Sequence, residues 1–181
     1  MMQEMFTSSA RPFYNSADIL ELRAIAPEIY VPFVMEHFKK RNRRISAENV
    51  KWVYDLFKGH TYYIQRTFNE SFADTTDNEE CTREIIDGAI ANMVAYNDTI
   101  FREILSNIPE KQKALLYAIA KDGEATQITS AQFIKRHALS SASSVQAAIK
   151  KLLERDIVTE INKVYSVTDK LFAMWINRMF N

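Results

Sequence analysis

Between Ser141 and Arg155, the side chains able to meet another molecule collect on one side of an amphipathic pattern. Once Val145, Ala148, Ile149, Leu152 and Leu153 are assigned to a core, Ser143, Ser144, Gln146, Ala147, Lys150 and Lys151 remain for the outer face. An amide of the Gln type can hydrogen-bond an adenine edge through both its ends. Serine and alanine permit close approach, and lysine neutralises a phosphate. Such a face is what a helix needs in order to lie in a DNA major groove. Lys135 and Arg136, a few residues earlier, are spaced to touch a phosphate backbone, and Lys163 to reach a groove edge. The same kind of helix also serves contacts with proteins. No arginine precedes Arg155 on the outer face, and the hairpin that follows carries one cation.

Several elements must hold that face in place. Pro109 sits near the start of a helix whose core side is Leu115, Leu116, Ile119 and Ala120, and Asp122-Gly123 ends it. Thr129 or Ser130 caps a short helix with Phe133, Ile134 and His137. Leu139-Ser140-Ser141 makes a turn into the outward-facing helix. Ile157–Ile161 and Val164–Val167 read as two short strands joined by the two-residue hairpin Asn162-Lys163. A closing helix carries Leu171, Phe172, Trp175, Ile176, Met179 and Phe180. This order predicts a winged helix-turn-helix over 106–181.

The part from 17 to 105 predicts a helical bundle. A short helix runs from Asp18 to about Ala26. The next starts at Pro27, with Ile29, Tyr30, Phe33, Val34, His37 and Phe38 inward. Ser46 caps a third that Gly59 terminates at its C′ position, and Thr61–Phe72 makes a fourth. A long helical pattern from Glu79 to Leu105 is broken near Tyr96-Asn97-Asp98. The basic run Lys39–Arg44 falls at a helix end, where cations offset the dipole. It is a solvated turn or a second nucleic-acid contact. Cys81, the single cysteine, reads as a thiol on a helix surface and excludes an internal disulfide.

Composition narrows the classes further. Only 3 Gly and 4 Pro in 181 residues, with 47% apolar residues, favour a mainly α protein over barrels and sandwiches. The formal charge is zero but divided: 11 Lys/Arg and 7 Asp/Glu fall in 106–181, against 11 and 15 in 17–105. That asymmetry suits a polyanion-binding C-terminal part. No Gly-rich phosphate loop, no nucleophile elbow and no His/Cys/Asp cluster of metal spacing occurs in the sequence, so neither catalysis nor a metal is expected of it. No apolar run reaches membrane-spanning length and no signal peptide is visible; the cytoplasm is the expected location, without a membrane partner.

Three stretches resemble, in order, the C-terminal part of the archaeal-type AAA+ ATPases within the STAND-like P-loop group. Met2–Tyr14, with Met5-Phe6 and Arg11-Pro12-Phe13-Tyr14, is similar to the stretch after the sensor-1 strand. Gly59-His60-Thr61-Tyr62-Tyr63-Ile64-Gln65 is similar to a motif of the helical lid, with Thr61 in place of the usual proline. Gln112–Ala120, Ser143-Ser144-Val145 and Val167–Trp175 resemble the appended winged helix, with Lys170 where proline is frequent.

The resemblance implies the tail of an ATPase core at 1–16, a lid at 17–105 and a winged helix at 106–181. It implies a parent that binds ATP and magnesium, Arg11 as a phosphate-sensing arginine of that parent, and Gly59 and His60 near its nucleotide. The chain itself is then a non-catalytic region whose winged helix is a DNA-binding or output module, with duplex DNA, the parent's ATPase core or a protein as partner. A free-standing winged-helix transcriptional regulator and a protein-interaction winged helix are the alternatives.

Overall fold

The computed structural model describes residues 24–180. The expected 1–16 segment, Arg11 and most of the Asp18–Ala26 helix lie outside them. The described chain is mainly α. Its elements are α1 (Pro27–Lys39), β1 (Arg44–Ile45), α2 (Ala47–Leu56), α3 (Thr61–Asp74), β2 (Glu80–Cys81), α4 (Arg83–Tyr96) and α5 (Asp98–Ser106). These are followed by α6 (Glu110–Asp122), β3 (Ala125–Thr126), α7 (Ala131–Arg136), α8 (Ala142–Glu154), β4 (Val158–Ile161), β5 (Val164–Val167) and α9 (Lys170–Phe180).

In the N-terminal bundle, α3 packs on α4 and α1 on α2. Tyr30, Val34 and Phe38 of α1 are buried, where Phe38 meets Phe68 and Phe72 of α3 edge-on at 6.4 and 5.2 Å. Ile29 and Phe33, expected inward, point out at 66% and 50% exposure, and His37 is exposed with them. Apolar residues surround this short helix, so periodicity could not choose the face that docks.

The Ser46 hydroxyl accepts from the Asn49 N–H at 3.1 Å and so caps α2. At its other end the left-handed residue is Lys58 (φ 50°), and Gly59 (φ 75°) comes one position later than expected. Lys58 N–H donates to the Asp55 carbonyl and Gly59 N–H to the Tyr54 carbonyl, the paired bonds of a Schellman ending.

The expected Glu79–Leu105 pattern is corrected at its start, while the expected break near Tyr96-Asn97-Asp98 is present. Residues 80–81 are extended and form a parallel bridge with β1, Arg44 opposite Glu80 and Ile45 opposite Cys81. Helix α4 starts only after Thr82, whose hydroxyl accepts from Ile85 N–H. Cys81 is therefore not a surface thiol. It is fully buried, and burial pushes its thiol pKa up. Asn97 separates α4 from α5, and its side-chain amide donates to the Met93 carbonyl at 2.7 Å, satisfying an acceptor freed by the break.

The C-terminal part has the expected order of elements, with an added strand. β3 joins β5 on the side away from β4, giving a three-stranded antiparallel sheet in the order β3-β5-β4. Pro109 is the N-cap of α6, and Gly123 ends that helix at φ 70°. Leu115, Leu116, Ile119, Leu152, Val158, Val167, Phe172 and Ile176 form the interior of this module. Helix α9 reaches beyond it to α4 and α5. There Trp175 Nε1 donates to Asp98 at 2.8 Å, and Phe101 lies 5.2 Å from Phe172.

Candidate nucleic-acid interface

The turn between α7 and α8 fixes where the outward helix begins. Ser130 Oγ accepts from Phe133 N–H at 3.2 Å and starts α7; Ala138 (φ 52°) turns the chain after it. Ser141 is fully extended, and its Oγ accepts from Ser144 N–H at 3.2 Å to start α8. Val145, Ala148, Ile149 and Leu152 then bury one side of α8 against α6 and β4.

What is left faces outward. Ser143, Gln146, Ala147, Lys150 and Lys151 are exposed and Ser144 is half-buried. The first two turns offer short polar groups, and the cations follow farther along. Lys150 makes no ion pair among the described residues, whereas Lys151 holds Glu154 at 2.8 Å, a weak exposed pair that a phosphate can replace. That lysine pulls the Glu154 carboxyl below its ordinary pKa.

The wing presents its lysine by backbone geometry. Asn162 and Lys163 both adopt positive φ, 52° and 63°, which suits a tight turn matched to strand twist. Lys163 is at the exposed tip, with Ile161 beside it at 66% exposure. Of the two cations expected to touch a backbone, Lys135 is exposed and without an ion pair among the described residues. Arg136 is drawn to Asp122, which also holds His137 at 3.2 Å. Arg155 is likewise used internally, donating to the Asn107 carbonyl at 2.9 Å.

The other sequence-derived residues lie elsewhere. Gly59 is buried and His60 is exposed at the start of α3, its ring 4.7 Å from that of Tyr63. The basic run ends in packing: Arg43 lies over the Phe72 ring at 4.1 Å and pairs with Asp77 at 2.9 Å. Beside Gly59, Lys58 pairs with Glu124 of the winged helix. Sequence reasoning missed this junction because its partners are 66 residues apart. Lys170 completes it, its pKa lowered first by burial and then by the charge of Lys58. Among the described residues no group of His, Cys, Asp or Glu could hold a metal ion, and no helix is long and apolar enough to cross a membrane.

A family described as "Probable winged helix domain" matches residues 99–178, so the match takes in α5 as well as the helices and sheet after it. No curated protein matches the chain. Among solved structures, a Walker-type ATPase of Pyrococcus abyssi is similar in fold, with a TM-score of 0.64 and 13% sequence identity. The match covers 94% of this chain and 47% of the ATPase, so the chain spans about half the length of that protein. Residues 99–178 thus form a winged helix domain, joined to a helical bundle in an arrangement that resembles part of a Walker-type ATPase.

Proposed function

We propose that the winged helix binds duplex DNA, with α8 in the major groove and the Lys163 turn at a neighbouring groove edge. The observation that carries this reading is the outer face of α8: small and amide side chains over the first two turns, then Lys150 and Lys151, all turned away from the core. Long acidic side chains are absent from that face until Glu154. In the same reading 17–105 is the lid of a P-loop ATPase and 106–181 its output module. These 181 residues perform no chemistry themselves. ATP and magnesium belong to a core that carries the phosphate loop, with Arg11, Gly59 and His60 on its border. The likeness in fold to a Walker-type ATPase supports this arrangement.

Lys135, Lys150 and Lys163 are exposed and make no ion pair among the described residues. With each phosphate contact contributing about −0.9 to the slope of log K against log salt, three contacts predict a slope of about −3. Duplex binding across a salt series measures it. Lys150→Glu with Lys151→Glu is expected to weaken binding by at least about tenfold and to flatten the slope by about 1–2, with the circular dichroism spectrum unchanged. Unaltered affinity in that double variant defeats the assignment. A second reading, a protein-binding winged helix, is favoured by the apolar Ile161 at the wing. Absence of duplex binding at low salt would put it first.

A further inference from the structure

We infer that the winged helix reads one base pair, an A·T pair through Gln146, and otherwise binds duplex DNA without regard to sequence. This rests on the DNA reading above and narrows it to a class of target. The N-terminal turns of a groove-bound helix are the ones that meet base edges, and discrimination needs side chains that form two directed hydrogen bonds to one base.

On α8 the outward residues of those turns are Ala142, Ser143, Gln146 and Ala147. Ser141 has its hydroxyl committed to the Ser144 N–H, and the Ser143 hydroxyl lies 3.1 Å from that of Ser141. Alanine offers only a methyl. Lys150 stands one turn beyond Gln146 and Lys151 is engaged with Glu154, so both suit phosphates. Arginine, the usual reader of guanine, is absent from α8. Gln146 is exposed and makes no hydrogen bond among the described residues, leaving both ends of its amide free.

A single bidentate contact discriminates by about 5- to 150-fold, well short of the about 10³- to 10⁷-fold by which site-specific proteins separate a target from bulk DNA. The chain would then occupy many sites, and a preference for A·T would decide among them only weakly.

The test is a panel of duplexes, each only long enough for one binding register, in which one A·T pair is moved stepwise through a G·C background. Affinities are measured at fixed low salt for the wild type, Gln146→Ala and the Lys150→Glu/Lys151→Glu variant. The wild type should show a best-to-worst spread of about 5- to 150-fold. Gln146→Ala should compress that spread to less than about threefold by weakening the best duplexes down towards the worst. The lysine variant should lower all affinities together and leave the spread in place. A spread beyond about a thousandfold, or one that survives Gln146→Ala, overturns the inference while leaving DNA binding intact. Failure of every duplex to bind defeats the DNA reading itself.

Discussion

Gly59 shows what a single missing side chain does in this chain. Its φ of 75° is a conformation that L residues with a side chain rarely adopt, and a Cβ there would lie 2.7 Å from the Ala24 Cβ and 2.8 Å from the Tyr54 hydroxyl. Backbone strain and collision therefore act together. Gly59→Ala is expected to destabilise the fold by about 1–3 kcal/mol, read as a lower urea midpoint at constant m-value. An unchanged midpoint would mean that the loop relaxes without cost. The glycine was legible in the sequence as a helix terminator. Its close contact with Ala24 was not, because that residue lies 35 positions earlier in the chain. Cys81 taught the opposite lesson. Its polar neighbours Glu79, Glu80, Thr82 and Arg83 suggested a surface, yet the pairing of β1 with β2 turns its side chain inward.

At the level of elements, the chain's own punctuation was readable at several local signals, though the cap at Thr82 was missed. Ser46, Ser130 and Ser141 each cap the helix that follows, and Asn162-Lys163 turns the wing. The two-residue strands β1, β2 and β3 were not readable, because two residues hold no period and their pairing is set by distant partners. The inward face of α1 was misread for a different reason: with apolar residues on several sides, only its neighbours decide which are covered.

Helix α9 shows how one element joins the two parts of the molecule. Asp98 accepts from Arg102 at 2.8 Å and from the Trp175 indole at 2.8 Å, and both contacts hold its carboxyl below the ordinary range, the Arg102 bond more strongly. A carboxyl with a lowered folded-state pKa contributes stability that is complete above its unfolded value. That contribution is lost as pH falls through the folded value. Trp175 fluorescence in a Trp52→Phe background should thus hold steady from pH 7 to 5 and change only below about 4. Asp98→Asn should remove that acid step while keeping an acceptor for the indole. An acid step that persists in the variant would assign it to another carboxyl, such as Glu124 or Glu154, whose pKa values are also lowered.

At the scale of the whole molecule, the packing of α9 on α4 predicts that the bundle and the winged helix unfold as one cooperative unit. α9 packs across the join on α4 as well as on α5 and α6, and Phe101 of α5 meets Phe172 and Trp175 of α9. Trp52 reports on the bundle and Trp175 on the winged helix. Urea transitions of the Trp52→Phe and Trp175→Phe variants, each normalised to its own stability by circular dichroism, should coincide. Separate transitions would show that the halves melt independently and that α9 fastens them only loosely. The order of the helices and of the wing strands β4 and β5 was legible in the sequence. The junction was not, since it depends on residues such as Asp98 and Trp175 that lie 77 positions apart.

The loop at Lys58-Gly59 touches two distant pieces of the chain at once. On one side it presses on Ala24, the residue through which everything earlier in the chain must pass; on the other, one residue away, Lys58 grips Glu124 beside the winged helix. Ala24, Gly59, Lys58 and Glu124 thus form a line of neighbours from the N-terminal side to the winged helix. The Lys58–Glu124 pair is solvent-exposed, so this link gives before the buried packing on either side of it.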